Sequence, residues 1–512
     1  MIKHQTLVGL LIIMSIFSTK LLFTSQKYQE IKVREPAVAG KFYSENEITL
    51  KKGLQYFFAD AIEPKVNKPF GIIVPHAGYV YSGQIAADAY NQVRGHHYDV
   101  VVILGTNHTT PGFYNISIYP RKGYQTPLGL AEIDEELADE LFEMNGKYTF
   151  DSRVHTYEHS VEVQVPFIQH IFSGAKILPV VLGAADLDMC KEFGRNLATV
   201  LKERNALIVA SSDLSHYPSC DNARKLDKET LESIVRLEPS FVSSTVARQM
   251  KKRVEGLATC ACGEGPILTL IEAVKSLGAN CGTVISYANS GDISFGDKNR
   301  VVGYGAVSFS KEDNCKGSEI LNEKSIEKSS SNLRKSDKKL LLAFARKSIQ
   351  QYLESETIPL ARGFNHALNR HQGAFVTLRK YGILRGCIGH MTDDKPLCEV
   401  VGAMALQSAF NDMRFNPVKL EELPSINIEI SVLTPFQKIK NEQEIVLGRD
   451  GVLLKKDDRQ AVYLPQVASE TGWKLQEFLE HLCSKAGLPP DGWKVAELFV
   501  FQTEIFHEAD FL

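Results

Sequence analysis

The chain has 512 residues, a formal net charge of -3, 44% hydrophobic and 23% charged residues. That length exceeds what a single hydrophobic core supports and calls for several domains, while the near-balanced charge excludes a global field that would recruit nucleic acid or an anionic surface. Nine cysteines, an odd number without the dense spacing of a disulfide scaffold, read mostly as buried thiols.

Residues 1–34 read as a signal peptide or membrane anchor. Leu7 to Phe17 is apolar apart from Gly9 and Ser15, lies between Lys3 and Lys20, and is extended by Leu21-Leu-Phe23 toward spanning length. No small-x-small cleavage site stands out, which favours an anchor. Lys20, Lys27, Lys32 and Arg34 place more positive charge after the segment than before it, which favours a cytoplasmic bulk, whereas a secretory signal predicts the opposite side. The expected localisation is therefore membrane-anchored or exported, with the side open.

Residues 35–310 alternate short apolar runs with helical patterns. Gly71 to Val74, Val100 to Leu104, Ile177 to Leu182, Leu207 to Ala210, Thr283 to Tyr287 and Val301 to Phe309 read as strands; Ile133 to Met144 and Cys190 to Glu203 read as helices. The alternation predicts an α/β domain with a largely parallel central sheet. Three of the runs stop at a histidine in a polar turn: His76 in Pro-His-Ala-Gly, His108 in Gly-Thr-Asn-His, and His216 in Ser-Ser-Asp-Leu-Ser-His. Ligands of such sheets bind beyond the carboxyl ends of the strands, so the three imidazoles converge on one edge. Thr259-Cys-Ala-Cys-Gly-Glu-Gly-Pro266 adds Cys260, Cys262 and Glu264 in a Gly-rich turn, and mixed nitrogen and sulfur donors suit a transition metal. A lone strand-end histidine is ordinarily a capping or packing residue; three together point to a site.

From 311 to 339 the composition shifts to Lys, Glu, Ser and Asn, the signature of a polar linker. Residues 340–512 read as α+β: a helix at Leu340 to Leu353, a hairpin turning at Lys380-Tyr-Gly382, a strand at Ile426 to Leu433, a strand pair at Gly448 to Leu454 and Ala461 to Pro465, and a closing helix at Trp473 to Cys483. Within the hairpin, Arg385 can present a guanidinium to a carboxylate or phosphate and Cys387 can be a reactive thiol. The alternative is structural, with Gly386 and Gly389 permitting a bulge while Cys387 and Ile388 pack inward.

Arg34-Glu-Pro-Ala-Val-Ala-Gly-Lys-Phe-Tyr43, Pro75-His-Ala-Gly-Tyr79, Glu158-His-Ser-Val-Glu162, Ser211-Ser-Asp-Leu-Ser-His-Tyr217 and Cys262-Gly-Glu-Gly-Pro-Ile267 together resemble the Memo family. The resemblance implies a fold similar to class III extradiol dioxygenases and a pocket for iron(II) or copper, zinc being the less favoured occupant. Carried over residue by residue, it makes His76, His108 and Cys262 the metal ligands, with Asp213, His216 and His159 as the catalytic residues lining the pocket. Two departures stand out: Gly-Thr-Asn-His replaces the usual Gly-Pro-Asn-His, and Cys260 supplies a second thiol. The dioxygenases carry a carboxylate where Cys262 stands, with Glu264 as a substitute candidate. His216 and His159, titrating near neutrality, would act as acid or base, and Asp213 would fix a tautomer.

Phe375-Val-Thr-Leu378, Leu384-Arg-Gly-Cys-Ile-Gly389, Asp412-Met-Arg-Phe415, Ile428-Glu-Ile-Ser-Val-Leu-Thr-Pro435 and Tyr463-Leu-Pro-Gln-Val-Ala468 resemble the AMMECR family. The chain thus looks like components B and A of the AmmeMemoRadiSam system fused, which implies a radical S-adenosylmethionine enzyme as partner and a small-molecule substrate. That enzyme is not part of this chain, which has no Cys-x3-Cys-x2-Cys motif. The function expected is metal-dependent redox chemistry; the alternatives are an interaction scaffold with a vestigial pocket and a zinc-dependent hydrolase.

Overall fold

The computed structural model describes residues 32–184, 186–293, 296–315 and 333–511. They form two compact units, one holding strands β1–β9 and the other β10–β17.

In the first unit the strands are β1 (Gly71–Val74), β2 (Val100–Thr106), β3 (Ile116–Ile118), β4 (Gly123–Thr126), β5 (Gly129–Glu132), β6 (Lys176–Leu182), β7 (Ala206–Ser211), β8 (Cys281–Asn289) and β9 (Gly303–Ser310). Seven of them make one sheet in the order β3-β6-β2-β7-β1-β9-β8. The central four, β6, β2, β7 and β1, run parallel, and the others pair antiparallel at the two margins. This is the mixed, mostly parallel α/β sheet expected. Ile72, Ile73, Val101, Val102, Ile103 and Val209 are fully buried because both faces carry helices, which explains continuous apolar runs where a half-exposed strand would alternate. Burial of each such side chain contributes about 1.5–3 kcal/mol. Consecutive neighbours β2, β7 and β1 end at the same edge, so the turns after Thr106, Ser211 and Val74 lie side by side.

The second unit is α+β, with β10 (Ala374–Lys380), β11 (Ile383–His390), β12 (Ile426–Leu433), β13 (Gln437–Lys438), β14 (Gly451–Lys456), β15 (Arg459–Tyr463), β16 (Glu497–Phe501) and β17 (Thr503–His507) in two four-stranded antiparallel sheets, β11-β10-β12-β17 and β13-β16-β14-β15. Ala374, Val376, Leu378, Ile428 and Ile430 share a core with Leu341, Ala345 and Ile349 of helix Lys335–Ser355 and Val401 and Ala405 of helix Leu397–Phe410. The hairpin turns as expected: Tyr381 and Gly382 both have positive φ, 52° and 82°, the two-residue turn whose twist matches the flanking strands.

Several expectations need correction. Helix Leu475–Lys485 does not close the fold, since β16 and β17 follow it and each pairs into a sheet. The first helix of the second unit begins at Lys335 rather than Leu340, because Arg334 and Asp337 hydrogen-bond around its start and its polar first turn is no bar to helix formation. Residues 316–332 of the expected linker lie outside the described residues. Most cysteines are free thiols, as expected, but Cys281 and Cys315 add a disulfide that the spacing did not announce. The expectation of a membrane-anchored or exported chain is overturned: among the described residues no helix is long and apolar enough to cross a membrane, even the 21-residue helix Lys335–Ser355 being rich in lysine. Leu7 to Phe17, on which that expectation rested, lies outside the described residues.

Candidate metal centre

The turns after β1 and β2 and the loop before helix Glu264–Ser276 bring His76, His108 and Cys262 together, with one nitrogen or sulfur from each inside a common 4.8 Å limit. The same limit encloses Asp213, His216 and Cys262, and separately His108, Glu158 and His159. The ring centres of His76 and His108 are 5.2 Å apart, those of His76 and His159 5.3 Å, and those of His108 and His159 4.6 Å. Cys262 Sγ lies 3.1 Å from His76 Nε2.

Hydrogen bonding orients the rings. Ser211 Oγ donates its one proton to the Ser160 carbonyl at 2.6 Å and accepts from Gln164 Nε2 at 3.0 Å, so His76 Nδ1, also 3.0 Å away, must donate to it. The lone pair of His76 is thereby left on Nε2, facing Cys262. Glu158 receives His108 Nδ1 at 2.9 Å and the His108 backbone N–H at 2.7 Å, which leaves Nε2 of that ring as the acceptor too. His216 Nδ1 donates to the Leu214 carbonyl at 3.0 Å, with the same result. A carboxylate or hydroxyl behind the ligating ring is the arrangement that fixes tautomer and raises ligand basicity in metal sites.

The electrostatics follow burial. His76 is pushed down to about 3 by burial and then by neighbouring His108. His159 is pushed down to about 4, again by burial first and by His76 next, so it does not titrate near neutrality as expected from its type. Burial alone would raise Glu158, but the hydrogen bonds from His108 and the charges of His108 and His159 outweigh it and hold the carboxyl at about 2. Burial, then Asp213, pushes the Cys262 thiol well up, and burial raises Asp213, whose carboxylate accepts the His76 backbone N–H at 2.7 Å. A cation among these groups would reverse both shifts.

The remaining sequence candidates fall elsewhere. Cys260 is buried with its sulfur 3.6 Å from Met250 Sδ, and burial pushes its thiol up to about 12; neither it nor Glu264, whose carboxyl burial raises, belongs to the grouped donors. In the second unit Arg385 does not face an open site: it pairs with Glu422, Nη2 to Oε2 being 3.0 Å, although its buried Nη1 has no partner among the described residues. Arg385 is the extra residue of a bulge, since Leu378 opposes Gly386 and Arg379 opposes Leu384. Gly386 and Gly389 are required for close approach, a Cβ meeting the Ser408 carbonyl oxygen and the Phe375 ring respectively at 2.1 Å. Cys387 is half-buried and its sulfur accepts the Thr377 hydroxyl at 3.3 Å.

Sequence reasoning missed Glu158, Ser211, Arg34 and Glu162 as supports of the site. Arg34 and Glu162 are an ion pair with side chains 3% and 0% exposed, and Glu162 also accepts Ala37 N, Val38 N and the Tyr43 hydroxyl. This ties residues 34–43, with Phe42 ring-to-ring 4.9 Å from His159, to the turn bearing Glu158 and His159. The signal was present in the Glu-His-Ser-Val-Glu run, whose outer glutamates are spaced to serve two different partners.

Residues 34–308 match the Memo-like protein family and residues 342–506 match AMMECR1. A MEMO1 family protein of Methanosarcina acetivorans is 38% identical over 281 residues, which are 54% of this chain and 99% of that protein. One from Aquifex aeolicus is 40% identical over 284 residues, covering 54% of this chain and all of the relative. A crystal structure of an uncharacterized protein from Pyrococcus horikoshii shares 40% identity with 33% of this chain and 90% of its own, at a TM-score of 0.32. With the whole of its relatives' length reproduced around a convergent His, His, Cys cluster, this chain belongs to the Memo family and carries an AMMECR1 domain behind its Memo domain.

Proposed function

We propose that His76, His108 and Cys262 hold a redox-active transition metal, iron(II) or copper in preference to zinc, and that the chain is a metal-dependent redox protein acting on a small molecule. The observation that carries this reading is the shared tautomer: His76 and His108 both commit Nδ1–H to a buried partner and keep the Nε2 lone pair free, His76 Nε2 lying 3.1 Å from Cys262 Sγ and all three residues grouping as ligands. Imidazole suits iron, copper and zinc, and a thiolate moves the preference toward copper or a thiolate-tuned iron. Bound there, such an ion would supply Lewis acidity and one-electron chemistry at positions three protein ligands leave open.

The chain's own groups would do the rest. Glu158 and Ser211 keep the rings from turning. His159, neutral at physiological pH, serves as a proton acceptor rather than a donor. Asp213, its pKa raised by burial and its carboxylate accepting the His76 backbone N–H, sits beside His216 and Cys262 within reach of the pocket donors. The joining of a Memo domain to an AMMECR1 domain supports action beside a radical S-adenosylmethionine enzyme, testable by co-elution of the two proteins.

Metal analysis of anaerobically purified protein tests the core of the reading. Stoichiometric iron or copper, lost in His76→Ala and in Cys262→Ala, is expected; protein purified without metal that cannot be loaded overturns it, and zinc alone would favour the hydrolytic reading.

A further inference from the structure

We propose that Arg300 recognises a carboxylate on the ligand that enters this pocket, an inference that rests on the metal reading above. Tyr217 follows His216 directly and has a φ of 74°, a left-handed conformation that a bulky aromatic side chain rarely adopts. The backbone enforces it: Tyr217 N donates to the Val301 carbonyl at 2.6 Å, Val301 N donates to the Pro218 carbonyl at 2.9 Å, and His216 bridges both Val302 and Thr259. Gly256 makes room, since a Cβ there would lie 2.4 Å from the Tyr217 carbonyl oxygen.

The same register sets Arg300 against this turn. Its guanidinium carbon lies 3.7 Å from the centre of the Tyr217 ring, which is itself 5.5 Å from the ring of His216. Arg300 is exposed and makes no ion pair among the described residues; Arg94 and Arg236 of the same unit also lie over aromatic rings, on Phe58 and Phe241, and what sets Arg300 apart is that its ring neighbours the pocket histidine His216. A guanidinium held over a ring through its central carbon and making no ion pair keeps N–H donors free, and these match a planar carboxylate in a two-point contact. A strained tyrosine, an arginine over its ring and a pocket histidine in successive contact form an anion-reading rim that reaches the Cys262 donor through His216. The ligand therefore coordinates at one end and carries its acid at the other.

The test uses full-length protein loaded with zinc(II) as a redox-silent ion, its metal content measured before titration. Benzohydroxamate, which chelates open metal positions, is compared by calorimetry with 4-carboxybenzohydroxamate, the same molecule with one added carboxylate. The carboxylated probe is expected to bind about fivefold more tightly, with the difference abolished in Arg300→Gln and partly kept in Arg300→Lys. Equal affinities in the loaded wild-type protein, or a preference that survives in Arg300→Gln, would overturn the assignment. Protein that takes up neither zinc nor, in its place, iron(II) or copper would instead sink the metal reading, and this one with it, a failure visible before any probe is added.

Discussion

Arg34 and Glu162 stand 128 positions apart in the chain and meet as a fully enclosed ion pair, with further Arg34 donors spent on the Glu35, His155 and Glu158 carbonyls. Breaking a buried pair leaves the other charge uncompensated, which costs about 3–5 kcal/mol. Arg34→Met is therefore expected to lower the stability of the first unit by that amount, whereas Arg34→Met with Glu162→Gln recovers part of the loss. Urea unfolding followed by circular dichroism measures both; a single variant as stable as wild type would refute the role.

Glu158 is not one of the three proposed ligands, yet it fixes His108 through two hydrogen bonds. Loss of such an outer partner weakens metal binding about 10- to 100-fold. Glu158→Ala is expected to show that loss in competition with a chromophoric chelator, and Ser211→Ala a smaller one, because a neutral hydroxyl orients His76 more weakly than a carboxylate.

His155 provides a pH signature away from the metal donors. Burial first and the Arg34 charge second push it from 6.5 down to about 3, so the folded unit holds it neutral between the Tyr124 hydroxyl and Ser117 Oγ. Unfolding takes up a proton wherever the unfolded ring is charged and the folded one is not. Its contribution is full above pH 6.5 and is lost as pH falls toward 3, at about 1.4 kcal/mol per pH unit. His155→Gln should lower stability at pH 7.5 and flatten the acid limb by one proton; parallel wild-type and variant curves between pH 6.5 and 4 would contradict this.

Gly386 and Gly389 make different demands on the second unit. A methyl at Gly386 meets the backbone of helix Leu397–Phe410, while one at Gly389 meets a phenyl ring that can swing aside. Gly386→Ala is expected to cost about 2–3 kcal/mol and Gly389→Ala less, read from the thermal transition of the second unit. The reverse order would show that Phe375 is the more rigid neighbour.

The Cys281–Cys315 disulfide closes a span of 34 positions, for which chain-entropy arguments give about 2–4 kcal/mol. Cys315→Ser should lower the melting temperature of the first unit, and added dithiothreitol should then change nothing further. A variant still sensitive to the reductant would point to another bridge.

The central sheet was legible because strands buried on both faces leave continuous apolar runs, and Ile72, Val102 and Val209 read as such without any knowledge of their neighbours. The donors were legible for a related reason: His76 and His108 stand where those runs stop. The Glu158 contact was not, since a glutamate before a helix looks like a cap, and Glu158 does cap Ser160 while gripping His108. Arg34 and Glu162 lie too far apart in the chain for spacing to pair them. Strands β16 and β17 were missed although Leu498, Phe501 and Phe506 mark inward positions, because the preceding amphipathic helix looked like a natural terminus.

The turn after β1, the turn after β2 and the loop before helix Glu264–Ser276 each contribute one donor, and β7 lies between the two strands that deliver the imidazoles. No short excised peptide contains the set, and the unfolded polymer keeps the three atoms at unrelated distances. Capture of an ion there would therefore be thermodynamically linked to completion of the sheet, so occupancy would report on whether a given molecule had matured, and a chelator would act on stability as well as on chemistry.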